Sequence, residues 1–252
     1  MYFHKKFIEK LKDQTSRVGS KINIMNFLSH FYFERKVNDP HRTLGAVLPD
    51  LLRNMDRDIR IFPEKNVEKY IKDENLAQIL KGWSRHIATD KFFHNNVFFL
   101  DKTQQLKAYL SPVVNNTPIR ASFLSHIALE LLLDRLLLKN SWLHENDFYQ
   151  QLADVDRQSL QVFLELSGIE DPTYFITYFN SFTADRYLGS YRNMAKLTYA
   201  LDQICKKFWP SGLSDEKKLQ LTEALTNYEE ELAQNFKVIF NETTDYLDKN
   251  YS

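Results

Sequence analysis

Apolar residues recur along most of the chain at the three-to-four-residue spacing of amphipathic helices. Leu76, Ile79 and Trp83, for example, fall on one face of a helix that includes them. Alternation of apolar and polar residues, the mark of a half-buried strand, is weak throughout. The pattern predicts helices over these segments: part of 1–22, 43–52, 75–100, 119–139, 146–166, 173–182, 186–209 and 214–247.

Turn-forming residues set the expected ends of these helices. Residues 38–40, Asn-Asp-Pro, break the apolar segment that begins at Met25. Gly45 and Pro49 predict only a short or irregular helix, ending near Asp50. Loops are expected over the charged residues 54–66 and around Ser111-Pro112 and Thr117-Pro118, and Gly168 is the expected C-cap of the helix before it.

Composition supports an all-α fold built as a single multi-helix domain. The 252 residues include only 6 Gly and 7 Pro, so the chain has few turns and long helices. Residues 119–139 are apolar nearly all round, which predicts a central helix. We expect one all-helical domain over residues 25–252, preceded by an N-terminal extension over residues 1–24.

Charge and cysteine content narrow the possible function. Lys plus Arg and Asp plus Glu both number 33, which argues against non-specific binding to nucleic acid or membranes. Cys205 is the one cysteine, so an internal disulfide is excluded and a reducing compartment is favoured. Residues 1–20 lack the apolar stretch of a secretory signal, and no apolar run is long enough to span a membrane. We therefore expect a cytoplasmic protein; its oligomeric state is left open.

Imidazole and carboxylate side chains recur one helical turn apart in two of the predicted helices. Residues four apart share a helical face, as ligands for a metal inside a helical bundle must. A buried carboxylate without a partner costs several kcal/mol, so the acidic members need a cation or hydrogen-bond donors. The first helix carries His86, Asp90 and His94, the second carries His126, Glu130 and Asp134, and His30 and Asp50 lie in other apolar segments.

This donor set predicts a site for one or two divalent ions between the central helices. Mixed imidazole and carboxylate ligands suit manganese, iron, zinc or magnesium, and the lack of Cys ligands argues against structural zinc. His94 and Asp134 could face elsewhere, because a residue eight positions along a helix lies about 80° around the axis from the first residue. The alternative is a buried network of hydrogen-bonded polar side chains. The candidate ligands are His30, Asp50, His86, Asp90, His94, His126 and Glu130.

Five short motifs, in this order, resemble the acyl-carrier-protein phosphodiesterase family over roughly residues 25–247. That resemblance implies an all-helical fold similar to HD-type phosphohydrolases and a divalent metal, typically manganese. It also implies hydrolysis of the phosphodiester that joins 4′-phosphopantetheine to a serine of acyl carrier protein. The motifs are Met-Asn-Phe-Leu-Ser-His at 25–30, Gly-Ala-Val-Leu-Pro-Asp at 45–50, Gly82 with His86 and Asp90, Glu130 with Asp134, and Tyr-Arg-Asn-Met at 191–194.

Roles can be assigned to particular residues on this basis. His30, Asp50, His86 and Asp90 are the first-choice ligands, followed by Glu130 and His126. The catalytic candidates are Asp90, Glu130 and Asp134; a carboxylate left uncoordinated, Glu130 or Asp134, would orient the attacking water as general base. Arg192 is the best candidate to hold a phosphate oxygen, with Arg186 and Lys91 behind it. A strongly acidic carrier-protein substrate would require a basic surface near the site, whose position the sequence does not reveal.

Three residues depart from the family pattern. His94 stands where the family has Asp, His126 adds an imidazole one turn before Glu130, and Arg135 stands where the family usually has His. A site richer in His favours iron or zinc over manganese.

Two other functions remain open from the sequence. One is a hydrolase like zinc phospholipase C or the related nucleases, which also use His-x-x-x-Asp and His-x-x-x-Glu pairs. That class is usually secreted and uses an N-terminal Trp as a ligand, for which the chain shows no counterpart. The other is a non-catalytic helical binding protein with a buried polar network.

Overall fold

The all-α prediction is confirmed. A computed structural model describes residues 26–251, and within that range the chain forms eleven α-helices and three short 3₁₀ segments, with no strand. The 3₁₀ segments span Pro63–Lys65, Val67–Lys69 and Tyr187–Arg192. The α-helices are α1 Phe27–Glu34, α2 Pro40–Met55, α3 Glu74–Asn95, α4 Val97–Val114, α5 Ala121–Lys139, α6 Glu145–Ala153, α7 Arg157–Leu166, α8 Thr173–Asp185, α9 Met194–Lys206, α10 Asp215–Leu232 and α11 Lys237–Asn250.

Helix α5 lies at the centre of the core, as its all-round apolar sequence predicts. Nearly every side chain from Phe123 to Leu138 is buried, including Glu130 and Asp134. The helix contacts α1, α4, α9 and the 3₁₀ segment Tyr187–Arg192. Polar groups on α5 therefore have to find their partners inside the protein rather than in water.

The closest helix crossing joins α2 to α3 through two glycines. A Cβ atom on Gly45 would lie 2.9 Å from the Trp83 backbone nitrogen, and one on Gly82 would lie 2.7 Å from the Ala46 nitrogen. Both distances are too short for a real Cβ contact, so each glycine permits the backbones to approach. This crossing brings the end of α2 that carries Asp50 against the part of α3 that carries His86.

Helix α2 is longer and more regular than the sequence predicts. It runs without interruption over Pro40–Met55, through Pro49, whereas a short or irregular helix ending near Asp50 was expected. The Asp39 side chain caps its first turn by accepting a hydrogen bond from the Arg42 backbone nitrogen at 2.8 Å. The buried face of α2 packs on α3, and this burial offsets the hydrogen bond that Pro49 cannot make.

Three of the predicted long helices are each divided into two helices in the structure. Residues 75–100 divide at Asn96, whose extended backbone ends α3 and whose side chain accepts from the Phe98 nitrogen at 2.8 Å. Residues 146–166 divide before Asp156, which accepts from the Ser159 nitrogen at 2.8 Å. Residues 214–247 divide after Leu232. Asn and Asp compete with the helix by bonding to backbone groups, which is why two of the divisions fall at these residues.

Other predicted boundaries also shift. Helix α4 continues through Ser111 and Pro112 to Val114, so the loop expected there begins later. The start of the predicted helix 186–209 is the 3₁₀ segment, and α9 begins only after Asn193, whose side chain caps it. Gly168 has a φ of +94°, which confirms its predicted position at a helix end.

Two further expectations concern a helix near the N-terminus and helices that could span a membrane. The short amphipathic helix expected from Phe3, Phe7, Ile8 and Leu11 lies outside the described residues. Among the described helices, none combines the length and apolar character needed to cross a membrane.

Candidate metal centre

Three helices bring His30, Asp50 and His86 together, and we call these residues the first cluster. They come from α1, α2 and α3, and all three side chains are buried. One ligand-type atom from each lies within 4.8 Å of the others, and His86 Nε2 is 3.9 Å from Asp50 Oδ1. Non-adjacent segments thus converge as the sequence pattern predicts.

Asp90 lies at the solvent side of the first cluster. Its Oδ1 is 3.2 Å from His30 Nε2, and its Oδ2 is 3.4 Å from His86 Nε2. The Asp90 side chain is 30% exposed, whereas His30, Asp50 and His86 are between 1% and 4% exposed. Asp90 is therefore the most exposed member of this group.

The two imidazoles of the first cluster are held in place by their surroundings. Their rings stack with centroids 4.1 Å apart and planes inclined by 22°. His86 Nδ1 is 2.8 Å from the Ala46 carbonyl oxygen, to which a protonated Nδ1 donates. That bond fixes the ring orientation and directs Nε2 towards the carboxylates, the arrangement found in metal-ligating histidines.

His94, His126 and Glu130 form a second cluster between α3 and α5. Their ligand-type atoms also lie within 4.8 Å of one another. Glu130 Oε1 is 2.9 Å from His94 Nε2 and 3.4 Å from His126 Nε2. The Phe99 ring, on α4, lies 5.1 Å from each of the two imidazole rings and closes one side of the cluster.

The two clusters are neighbours. His86, Asp90 and His94 follow one another at single-turn intervals along α3, so Asp90 stands between the clusters. Each cluster also lies in the electrostatic field of the other, because His94 contributes to the lowered pKa of His30 and Glu130 to the raised pKa of Asp50.

Both clusters contain buried polar atoms that lack hydrogen-bond partners. Leaving a buried polar group unsatisfied costs about 1–3 kcal/mol, so several in one place need an explanation. His30 Nε2 is close to Asp90, but without hydrogen-bond geometry. One divalent cation in each cluster would satisfy the unpartnered atoms of that cluster, and the ligand atoms present therefore fit such ions. The atoms are His30 Nε2, Asp50 Oδ2, His126 Nε2 and Glu130 Oε2.

Burial and neighbouring charges shift the pKa values of the first cluster in opposite directions. Burial, helped by the charge of His86, lowers the pKa of His30 to about 4. Burial opposes protonation of His86 as well, but the carboxylates of Asp90 and Asp50 outweigh it and raise the pKa of His86 to about 9. Burial raises the pKa of Asp50, whereas His86 holds the pKa of Asp90 low against the effect of burial. The metal-free cluster therefore keeps protons that a metal would displace.

Asp134 lies apart from both clusters and closes the start of α1. Its Oδ2 accepts a hydrogen bond from the Leu28 nitrogen at 3.1 Å, and its Oδ1 accepts from the Ser29 nitrogen at 2.8 Å and from Ser29 Oγ at 2.6 Å. Burial raises the pKa of Asp134 to about 7. Because both oxygens bind the backbone of α1, Asp134 positions the helix that carries His30.

The phosphate-binding candidates from the sequence have other contacts. Arg192 donates to Glu145 Oε1 at 2.6 Å, and its side chain is 40% exposed. Arg186 has a left-handed backbone at the end of α8 and lies over the Tyr149 ring, 5.9 Å from its centroid. Lys91 is exposed on α3. The contacts of Arg192 and Arg186 are with other protein groups, and Lys91 faces solvent. A role of these residues in binding phosphate stays a prediction.

The three departures from the family pattern have structural explanations. His94, which stands where the family has Asp, and the additional imidazole His126 belong to the same cluster. Both changes therefore lie beside Glu130. Arg135 donates to the Tyr191 carbonyl at 2.7 Å, to the Arg192 carbonyl and to Glu229 Oε2 at 3.0 Å. Arg135 thus ties the 3₁₀ segment and α10 to the central helix.

Sequence reasoning did not find the cations beside Asp50. Arg53, Arg57 and Lys207 line a pocket that reaches Asp50. The arginines follow Asp50 by three and seven residues, a spacing that could have been recognised, but Lys207 comes from the distant end of α9.

Comparison with known proteins agrees with the motifs. The model of the family described as "Acyl carrier protein phosphodiesterase" matches residues 25–243, nearly the whole chain. Comparisons with curated proteins and with solved structures give no match. The convergence of the motif residues His30, Asp50, His86 and Asp90 in one place agrees with this match, and the chain belongs to the acyl carrier protein phosphodiesterase family.

Proposed function

We propose that this protein is a metal-dependent phosphodiesterase that releases 4′-phosphopantetheine from holo acyl carrier protein. Family membership supports the reaction class and the protein substrate. The observation that carries the metal dependence is the set of buried, partnerless donor atoms in the two clusters. In the reaction, a water oxygen bonds to phosphorus and the bond from phosphorus to the serine oxygen breaks. The serine oxygen takes up a proton, so the products are apo carrier protein and free 4′-phosphopantetheine.

Each cluster would hold one divalent ion. His30, Asp50 and His86, with Asp90, offer two imidazoles and two carboxylates, and His94, His126 and Glu130 offer two imidazoles and one carboxylate. When bound, such an ion lowers the pKa of water and polarises a phosphoryl oxygen. Manganese is the ion that the family resemblance implies. The added imidazole of the second cluster favours iron and zinc as alternatives to manganese.

Asp90 is the residue of the site best placed to handle the proton of the attacking water. His86 holds the pKa of Asp90 low, which favours the ionised form, and the Asp90 side chain is the most exposed of the candidate carboxylates. Glu130 is fully buried, and one of its oxygens already accepts a hydrogen bond from His94. Glu130 is therefore better suited to hold an ion than to exchange protons with water, and Asp134 is occupied at the start of α1.

The first test measures turnover of holo acyl carrier protein and bound metal in the same samples, with manganese, iron or zinc supplied. We expect His86→Ala and Asp90→Ala to lower turnover by at least about a hundredfold, since losing even an outer partner of a metal ligand costs about 10–100-fold. His126→Ala should lower the metal content from two ions to one. His144→Ala is the matched control, because His144 is exposed and belongs to neither cluster.

The outcomes separate the alternatives. Wild-type protein with no divalent metal, and no gain in thermal stability on adding any of the three ions, would contradict the proposal and favour a buried polar network. Bound metal without turnover of the carrier protein, or of a panel of other phosphodiesters, would leave a binding role.

A further inference from the structure

A narrow basic pocket adjoins the first cluster. Asp50 belongs both to that cluster and to the lining of the pocket, which we call the Asp50 pocket. Arg53 and Arg57 enter it from the end of α2 and the residues after it, and Lys207 enters it from the end of α9. The space measures about 310 Å³ including the part open to solvent, and its interior has room for roughly one water molecule. The pocket therefore suits one small group rather than an extended ligand.

Two cations of the Asp50 pocket, Arg57 and Lys207, contact neutral groups. The Arg57 guanidinium lies over the Phe208 ring, 3.9 Å from its centroid, and such stacking leaves the in-plane N–H groups available to an anion. Lys207 Nζ donates to Asn54 Oδ1, and Asn54 in turn donates to the Tyr178 hydroxyl at 2.8 Å. An ammonium group has three donors, and the amide of Asn54 accepts one of them without neutralising the charge.

Positive charge exceeds negative charge in this pocket. Asp50 is its one acidic lining residue, against the three cations Arg53, Arg57 and Lys207. Asp58, next to Arg57 in the chain, lies outside the lining, and its negative charge acts on Arg57 without balancing all three cations. Partial burial of the ammonium group and the charge of Arg57 lower the pKa of Lys207 to about 8, although its side chain as a whole is accessible. A bound anion would relieve the repulsion between these cations.

We infer that the Asp50 pocket binds the phosphate group of the substrate, through Arg57 and Lys207 with Arg53 beside them. This inference rests on the proposed function. If the neighbouring first cluster cleaves a phosphodiester, a phosphate ester is the anion expected in the pocket. Guanidinium and ammonium groups recognise phosphate in complementary ways, the first as a planar fork and the second as a point charge. The phosphate would lie in the part of the pocket that opens to solvent, and the narrow interior leaves no room for the rest of the pantetheine arm.

A direct binding measurement tests the inference without turnover. Inorganic phosphate is titrated into the purified protein and followed by ³¹P NMR, for wild type, Arg57→Gln and Lys207→Gln. We expect each variant to raise the Kd for phosphate about tenfold, since a hydrogen bond to a charged group contributes about 1.5–3 kcal/mol and 1.4 kcal/mol is tenfold. Lys196→Gln removes one charge from an exposed site on the same helix, α9, and should leave the Kd unchanged. Lys207→Arg keeps the charge and should bind within about threefold of wild type.

Turnover of holo acyl carrier protein supplies the second arm. Arg57→Gln and Lys207→Gln should raise KM or lower kcat, whereas Lys196→Gln should not. Equal phosphate affinity in wild type, Lys207→Gln and Lys196→Gln would overturn the inference even if the enzyme turns over. Phosphate binding that depends on Arg57 and Lys207, in a protein that does not cleave the carrier protein, would support the pocket and reject the proposed reaction. Circular dichroism and melting curves confirm that each variant is folded.

Discussion

At the residue scale, His86 has the surroundings that a metal-ligating histidine needs. Its Nδ1 faces the Ala46 carbonyl, and its Nε2 faces Asp50 and Asp90. In the absence of a metal, the two carboxylates raise the pKa of the ring to about 9 despite its burial. A metal ligand must be a neutral imidazole or an ionised carboxylate, so the proton on His86 has to leave when an ion binds.

We therefore predict that metal binding becomes tighter as the pH rises from about 6.5 to 8. The raised pKa of His86 means that the ring is protonated throughout this range, so this proton has to be displaced when an ion binds. The affinity for manganese should rise about tenfold per pH unit for each proton displaced. Calorimetric titration in buffers of different ionisation enthalpy counts these protons directly. An affinity independent of pH, with no proton released, would contradict the prediction.

The sequence predicted which residues of α3 share one face, but it did not predict the partners of Asp134. The single-turn spacing of His86, Asp90 and His94 on α3 is a local property that any helix would preserve. Asp134 has the same spacing from Glu130, yet its partners are the backbone of α1, more than one hundred residues away. Spacing along a helix places a side chain on a face, but it does not say which other segment meets that face.

At the element scale, the site depends on the close crossing of α2 and α3. Gly45 and Gly82 face one another there, and a side chain on either would meet backbone atoms of the other helix. Backbone cannot move aside as the end of a flexible side chain can, so an added methyl group has to push the helices apart. That movement would separate Asp50 from His86, whose nearest ligand-type atoms are now 3.9 Å apart.

We predict that Gly45→Ala weakens both the fold and metal binding. Overpacking of this kind costs about 1–3 kcal/mol, which for a chain of this length corresponds to a fall in Tm of roughly 2–12 °C. Metal content should fall as well, because α2 carries the candidate ligand Asp50. Gly189→Ala is the matched control, since a Cβ there would meet only the flexible side chain of Glu145. Unchanged Tm and metal content in Gly45→Ala would show that the crossing does not position the site.

At the scale of the whole molecule, both halves of the described chain contribute to the surroundings of the site. Arg85, the residue before His86, donates to the carbonyl of Tyr251 at 2.9 Å and pairs with Glu34 on α1. The end of the described chain is therefore tied to the helix that carries three of the candidate ligands. All eight candidate metal or catalytic residues, from His30 to Asp134, lie within the family match over residues 25–243.

We predict that a chain beginning at Met25 folds and binds metal. The contacts that assemble both clusters come from residues after this point. Its Tm should lie within a few degrees of that of the full chain and should rise by about 5–10 °C with manganese at a hundred times its Kd, because such binding adds about 2.7 kcal/mol. Differential scanning fluorimetry of the two chains side by side measures both quantities. Loss of soluble protein on shortening would refute the prediction.

The sequence by itself determined the helical class, the central position of α5 and the identity of the residues in both clusters. These features depend on periodicity and on the cost of burying polar groups, which are local properties of the chain. The tertiary structure alone decided how the candidate ligands divide between two clusters, that Asp134 binds the start of α1, and that Lys207 joins Arg57 beside Asp50. Each of these depends on which distant segments meet, and helix packing, with the glycine crossing of α2 and α3, settles that.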